Sequence, residues 1–145
     1  MKKVTLIVLF ILIVIQFIQP KKNLSKDFSN DISMEYQVPE TVQKIIQNSC
    51  ADCHSNYTNY PWYGNIAPIS WYVGDHIWEG KEHLNFSDWM LYNKNQKEHI
   101  IKDLEEVLET KEMPLDSYLK LHKEAELTAD EYELFYNWIK TLDVK

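Results

Sequence analysis

The sequence has no arginine: all 15 basic residues are lysines, set against 22 acidic residues in a chain of 145. Without arginine, the chain lacks the planar fork that binds phosphate groups in a bidentate way. The net charge of -7 also disfavours binding to a polyanion. The composition therefore argues against nucleic acid as a partner.

Glycine and cysteine are scarce as well. The 3 glycines are too few and too far apart for a glycine-rich nucleotide loop, and they disfavour a β-rich fold with many tight turns. Two cysteines cannot hold a disulfide scaffold together. With 45% hydrophobic and 26% charged residues, the chain has the composition of one folded domain.

The N-terminus is a hydrophobic segment flanked by lysines. Residues 4–18 include only two polar residues, and Lys2 and Lys3 precede them, a pattern typical of an export signal. As a helix this run is about 22 Å long, short for a hydrocarbon core of roughly 30 Å. No small-residue cleavage site follows, so we predict an uncleaved signal-anchor over residues 1–22, with a cleaved signal as the alternative. The anchor would hold the chain at the periplasmic side of the inner membrane.

The rest of the chain is predicted to be a tether followed by a domain. Residues 23–38 are polar and without a hydrophobic period, so we interpret them as a polar tether. Residues 39–145 contain the periodic segments and form the predicted domain. Residues 23–145 carry 22 acidic residues against 11 lysines. Such an acidic surface favours a partner with a basic docking patch.

Hydrophobic periodicity predicts an all-α domain. Apolar residues at helical spacing follow Pro39, recur over residues 96–110 and recur again after Thr128. Thr128 and Glu131 form a capping-box pattern at the start of the last helix. We expect its aromatic residues, Phe135 and Trp138, in the core.

Three further features divide the middle of the chain. Residues 69–78 are predicted to form a helix that Gly80 ends. Ser87 is a candidate N-cap for a short helix. Residues 56–68 combine aromatic residues with two prolines and a glycine, which indicates a loop.

The most informative motif is Cys50-Ala51-Asp52-Cys53-His54, because C-x-x-C-H is the attachment signature of c-type haem. On a helix, positions 50, 53 and 54 share one face. Both thiols can then form thioether bonds with one haem, and His54 can bind its iron. The motif predicts one covalent haem c, held by Cys50 and Cys53.

Two other interpretations of the motif are weaker. A zinc site would need four ligands, and no second C-x-x-C or H-x3-H pattern is present. A thioredoxin-like redox pair would need a strand–helix setting, which the sequence does not predict.

The sixth iron ligand would decide the chemistry. Met113 stands out among the candidates because it follows a predicted helix and precedes Pro114, in a loop. Met90 lies in a predicted amphipathic helix, where core packing is its expected role. His122 is the best histidine alternative. Ligation by one methionine and one histidine raises the reduction potential of the iron relative to ligation by two histidines. The full set of candidates is His76, His83, His99, His122, Met34, Met90 and Met113.

Five sequence blocks carry a family resemblance. They are residues 50–56 (CADCHSN), 60–63 (YPWY), 66–71 (IAPISW), 84–89 (LNFSDW) and 113–115 (MPL). Together they resemble the family of bacterial haem-binding domain proteins related to monohaem cytochromes c. The resemblance implies a cytochrome c-like all-α domain around a covalent haem, with His54 as the proximal and Met113 as the distal iron ligand. It implies no particular physiological role.

The aromatic residues near the motif also have a physical interpretation. Trp62, Tyr63 and Trp71 can wall a haem edge, and their N–H or O–H groups can bond a propionate. A backbone carbonyl of the proline-containing loop is expected to orient the His54 ring through its second nitrogen.

Two classes of function remain open on this sequence. The first is a membrane-tethered electron carrier with six-coordinate iron, His54 and Met113 as ligands, and no substrate site. The second is a haem enzyme or a gas or redox sensor, such as a small peroxidase, with a labile sixth ligand. We favour the carrier, in which iron changes its redox state and nothing is transformed.

Overall fold

The structure is a computed structural model that describes residues 2–144. Met1, the first residue of the predicted signal-anchor, and Lys145, the last residue of the predicted domain, lie outside the described residues. The described residues confirm the all-α class, with no strand and one isolated bridge between Leu24 and Tyr57. Their α-helices are α1 (Lys2–Val14), α2 (Glu40–Ile45), α3 (Ala51–His54), α4 (Ile69–His83), α5 (Lys94–Thr110), α6 (Asp116–Leu119) and α7 (Ala129–Ile139). A π-helical turn covers Ile46–Cys50, and 3-10 turns cover Ile15–Phe17, Ile32–Met34, Trp62–Asn65, Phe86–Leu91 and Lys123–Ala125.

The hydrophobic core lies where α7 packs against α2 and α5. Each helix contributes apolar residues of its predicted stripe, and Phe135 and Trp138 are buried as expected, whereas Leu134 of the predicted α7 stripe is 39% exposed. Trp89, from the turn before α5, is fully buried in the same cluster. The buried members on these three helices are Val42, Ile45, Ile100, Ile101, Leu108, Phe135, Trp138 and Ile139.

Side-chain caps fix where the two longest core helices begin. Thr128 and Glu131 form the predicted capping box at α7, with the Thr128 backbone N–H donating to the Glu131 carboxylate at 2.8 Å. Asn93 and Gln96 form a second capping box at α5. Each box satisfies N–H groups that a helix start leaves without partners.

Two predicted helix boundaries are wrong. The helix α4 does not end at Gly80 but continues to His83. Asn85, rather than Ser87, caps the following turn, because its side chain accepts a hydrogen bond from the Ser87 backbone N–H at 3.1 Å. Ser87 itself is buried, and its hydroxyl accepts from the Asn56 backbone N–H at 3.1 Å.

Residues 23–38, predicted to be a polar tether, lie along the helical domain. Ile32 is only 2% exposed and belongs to the core cluster. The Asn30 carbonyl accepts a hydrogen bond from the Met90 backbone N–H at 2.9 Å. The segment therefore contributes to the packing of the domain, through apolar residues too widely spaced to give a periodic pattern.

Glu35 forms a buried polar cluster with two residues of the domain. Its carboxylate accepts hydrogen bonds from the Trp89 indole at 2.8 Å and from the Lys97 ammonium. The Lys97 and Glu35 side chains are only 9% and 17% exposed. Removing one member of such a pair leaves the other charge buried without its counterion.

Lys97→Ala should therefore destabilise the fold strongly, by about 3–5 kcal/mol. The matched control is Lys44→Ala, since Lys44 pairs with Glu40 at 2.7 Å on an exposed surface. That change should cost roughly 0.3–0.5 kcal/mol. Urea unfolding of both variants measures the difference. Equal losses would contradict the assignment of a buried ion pair at Lys97.

Apart from Lys2, Lys3 and Thr5, the N-terminal helix α1 consists of large apolar residues on every side. Its large hydrophobic side chains between Val4 and Val14 are 42% to 67% exposed. Across residues 2–144, no helix has the length and apolar character needed to cross a membrane.

Candidate functional site

The C-x-x-C-H motif occupies a π-helical turn and the short helix α3. Cys50 ends the π-helical turn, and Cys53 and His54 lie in α3. Both cysteines are unpaired and partly buried, and α3 packs against α4. π-Helical turns are rare and occur mostly at functional sites. The three predicted cofactor-binding residues thus belong to one short helical segment.

The His54 ring is held by a backbone carbonyl. Its Nδ1 lies 3.1 Å from the Leu84 carbonyl oxygen. Because a carbonyl only accepts, Nδ1 carries the proton and Nε2 presents a lone pair. Burial lowers the pKa of His54, although the hydrogen bond to Leu84 opposes this shift.

The orienting carbonyl does not come from the expected segment. It belongs to Leu84, directly after α4, rather than to the proline-containing loop. The reason is that α4 packs against α3, which brings Leu84, the residue directly after α4, next to the His54 ring. An orienting bond of this kind fixes both the tautomer and the ring plane of a metal-binding histidine.

The two thiols are held in their protonated form. Burial, followed by the neighbouring Cys53, raises the pKa of Cys50 to about 12. Burial, followed by Asp52, raises the pKa of Cys53 to about 11. A zinc site needs thiolates, and within residues 2–144 no three potential ligands cluster as a metal site. The raised pKa values therefore disfavour zinc ligation by these two thiols.

Gly80 lets α4 approach the motif. A Cβ built at Gly80 would lie 2.8 Å from the Cys53 carbonyl oxygen and 3.1 Å from the Cys53 Cβ. Real Cβ atoms essentially never come that close, and a backbone oxygen of a helix cannot swing aside. The glycine that was predicted to end the helix therefore serves a different purpose, the close contact of α4 with α3.

Gly80→Ala should push α4 away from the motif and destabilise the protein by roughly 1–3 kcal/mol. The clash should outweigh the helix preference of alanine over glycine, which is worth roughly 0.5–1 kcal/mol in a helix interior. Gly64→Ala is the control, because its nearest neighbour is the Tyr60 ring at 3.4 Å, an ordinary contact. Thermal unfolding and haem yield measure both variants. A Gly80→Ala protein with unchanged stability would contradict the close approach.

Asp52, inside the motif, holds α3 to two other segments. One carboxylate oxygen accepts from the Asn59 backbone N–H at 2.9 Å, and the other accepts from the Tyr118 hydroxyl at 2.9 Å. Its backbone carbonyl accepts from the Thr58 hydroxyl at 2.6 Å. Sequence reasoning missed this role, since no local pattern identifies a partner 66 residues away.

A network of aromatic and ionisable side chains continues from Tyr118. Its ring stacks on His122 with centroids 4.2 Å apart. The His122 Nδ1 donates to Glu124 at 3.3 Å, and Nε2 lies 2.6 Å from the Tyr63 hydroxyl. Burial, followed by the charge of Asp52, strongly raises the pKa of Tyr118. A polar cavity of about 260 Å³ opens beside Asp52, Tyr118 and His122.

The three aromatic residues predicted to wall the haem have different surroundings. Tyr63 bonds His122, as described. Trp71 donates its indole N–H to the Ile18 carbonyl at 2.6 Å. Trp62 is 75% exposed and meets the edge of the Tyr63 ring. Their role at the cofactor stays a prediction.

Met113 lies in the turn after α5 and is 36% exposed. Its carbonyl accepts a hydrogen bond from the Tyr132 hydroxyl at 2.9 Å. Burial, followed by the nearby Cys50, raises the pKa of Tyr132. The Tyr132 hydroxyl therefore ties the Met113 turn to α7. By contrast, Met90 is 44% exposed, so its expected place in the core is wrong.

Comparison with known proteins gives one family. The model of a haem-binding domain matches residues 10–141, which include the motif, the network around His122 and Met113. Neither curated proteins nor solved structures gave a match. Because the family model covers most of the sequence, the chain belongs to the haem-binding domain family.

Proposed function

We propose that this protein carries a covalently attached c-type haem and transfers single electrons at a membrane surface. The observation that best supports this proposal is the placement of Cys50, Cys53 and His54 on one short helical segment, with the His54 ring oriented by the Leu84 carbonyl. Membership of a haem-binding family supports the choice of cofactor.

The chemistry of the donor set fits a haem bound in this way. Cys50 and Cys53 would hold it by thioether bonds, and His54 would bind its iron through Nε2. When bound, haem supplies an iron that alternates between the ferric and ferrous states. Burial favours the neutral form of His54, and neutral imidazole is the form that ligates metals.

Met113 is the proposed sixth ligand. Its sulfur is a soft donor, which suits low-spin iron and favours the reduced state. The contact of its carbonyl with Tyr132 restrains the turn that would present it. Iron with six protein-supplied or haem-supplied ligands has no open position for a substrate, which is why we favour electron transfer. The acidic surface then suits a redox partner with a basic docking patch.

The proposal includes export and retention at the membrane. The large apolar side chains of α1 between Val4 and Val14 are exposed, and lysines flank the hydrophobic segment. We place the domain on the periplasmic side of the inner membrane, held by residues 1–22.

N-terminal sequencing of the membrane fraction tests this placement. We expect the chain to retain residues 1–22, because no small-residue cleavage site follows the apolar run. A mature chain that begins after Lys22 and is found in the soluble fraction would refute the anchor. It would leave the haem assignment untouched.

A second candidate function has one observation in its favour. The Tyr63 hydroxyl and His122 form a hydrogen-bonded pair that can carry a proton, and His122 lines an open polar cavity, which is an arrangement suited to the acid–base chemistry of a haem enzyme. Carbon monoxide and peroxide titrations separate the two candidates. For a carrier we expect the ferrous spectrum to be unchanged by carbon monoxide and no peroxide turnover. Rapid, tight carbon monoxide binding or peroxide turnover would favour the second candidate.

A further inference from the structure

Residues 16–23 form a strap that ties the end of α1 to the rest of the protein. The Gln16 side chain pairs with both backbone groups of Ala67, accepting from its N–H at 2.9 Å and donating to its carbonyl at 3.0 Å. The Ile18 carbonyl accepts from the Trp71 indole at 2.6 Å. Two long-range contacts so close to a helix end leave little freedom for a hinge between α1 and the domain.

The strap then runs along α4 towards its C-terminal end. Pro20 fits against Gly74, where a Cβ would lie 3.0 Å from the Pro20 ring. Asn23 accepts from the Lys81 ammonium at 2.9 Å. Successive strap residues therefore meet successively later residues of α4, so the N-terminal end of α4 is the end that lies next to α1.

Lys22 and Asn23, at the end of the strap, contact the segment that follows the C-x-x-C-H motif. The Lys22 ammonium donates to the Gly64 carbonyl at 2.6 Å and lies 3.8 Å from the centroid of the Tyr60 ring. The Asn23 amide donates to the Ser55 carbonyl at 2.8 Å. The strap thereby spans the distance from α1 to the residue that follows His54.

The end of the domain next to α1 exposes several large apolar side chains. We call Phe17, Ile18, Ile66, Ile69 and Tyr72 the apolar collar; all five are exposed, Phe17 by 86%. Between His54 and Asp75 the sequence has no acidic or basic residue, in a chain that is 26% charged. The charged residues of α4 begin only at Asp75, in the half away from α1.

We propose that the apolar collar is a second membrane-contacting surface, seated at the lipid interface beside the inserted helix α1. This proposal rests on the membrane placement proposed above. It commits to lipid as the occupant because the collar continues the exposed apolar surface of α1, and the strap prevents the two from separating. Tyrosine at the rim of such a surface suits the interfacial zone of a bilayer. The strap would then hold the motif at a fixed height above the membrane.

Site-specific photo-crosslinking in vesicles tests the proposal on the full-length protein. The crosslinking amino acid replaces one side chain in Tyr72→p-benzoylphenylalanine, and a second collar position, Ile69→p-benzoylphenylalanine, guards against a folding defect. The control is Trp78→p-benzoylphenylalanine, because Trp78 is 66% exposed and lies about 9 Å further than Tyr72 from the N-terminal end of α4, which is the end next to α1. The vesicles consist of labelled phosphatidylcholine, a lipid without net charge that the acidic domain does not repel.

We expect labelled lipid on both collar variants and none above background on the Trp78 variant. Co-sedimentation with the vesicles but no lipid adduct at either collar position would overturn the collar and leave the anchor standing. Failure to co-sediment would overturn both proposals. Protein–protein adducts at the collar positions, formed without lipid, would identify a second copy of the chain as the occupant and also overturn the proposal.

Discussion

Replacing both Cys50 and Cys53 by alanine should abolish covalent haem attachment while leaving the helical fold in place. The thioether bonds are the only proposed links that survive denaturation, because the His54–iron bond dissociates when the protein unfolds. In a host with a c-type maturation system, the unmodified protein should give a haem-stained band after denaturing electrophoresis. The double variant should give a protein band of the same intensity without haem stain.

The two cysteines permit a graded version of this experiment. Each single alanine variant should retain one thioether link and a weaker haem stain. His99→Ala serves as the control, since the His99 side chain is 76% exposed and lies beside Asp103 at the surface. Its stain should equal that of the unmodified protein. An unmodified band that loses its colour in denaturant, with both thiols open to alkylation, would exclude covalent attachment.

Short-range sequence patterns predicted much of this molecule correctly. The Thr128–Glu131 capping box and the apolar stripe of α7 depend only on spacing within a few residues, and both are confirmed. The C-x-x-C-H motif is equally local, and the structure places it in a π-helical turn and α3, but its role in haem attachment stays a prediction. Family membership, predicted from five short sequence blocks, is also confirmed.

Several of the errors and omissions concern partners that are distant in sequence. Gly80 was interpreted as a helix end, because the motif backbone that it approaches lies far away in sequence. The carbonyl that orients His54 was sought in a proline-containing loop, but helix packing brings Leu84 to the ring instead. Asp52 reaches Tyr118 across 66 residues. Tertiary packing selects such partners, and a single sequence carries no local signal for them.

The same packing distinguishes the two main candidates for the sixth iron ligand. Both ring nitrogens of His122 have partners, Glu124 and Tyr63, and the ring is stacked on Tyr118. Ligation by His122 would require at least one of these bonds to break. The hydrogen bond from Tyr132 to Met113 involves the Met113 backbone carbonyl, so this contact leaves the sulfur uninvolved.

Met113→Ala should therefore open the sixth position of the iron. We expect the variant to become high-spin, to bind carbon monoxide in the ferrous state, and to show a lower reduction potential. The expected shift is on the order of 0.1 V, a fraction of the roughly 0.8 V range that axial ligands span. Loss of a soft sulfur donor removes its preference for the reduced state. Electronic absorption and redox titration measure all three changes.

Two controls make the ligand assignment decisive. Met90→Ala removes a methionine of comparable exposure, 44% against 36% for Met113, and should leave the iron spectrum unchanged. His122→Ala should also leave the spectrum unchanged, although it breaks the link between Tyr63 and Glu124. The unmodified ferric protein should show the weak far-red charge-transfer band of a sulfur–iron bond. If that band is absent and the His122 variant, rather than the Met113 variant, turns high-spin, then the iron is ligated by two histidines.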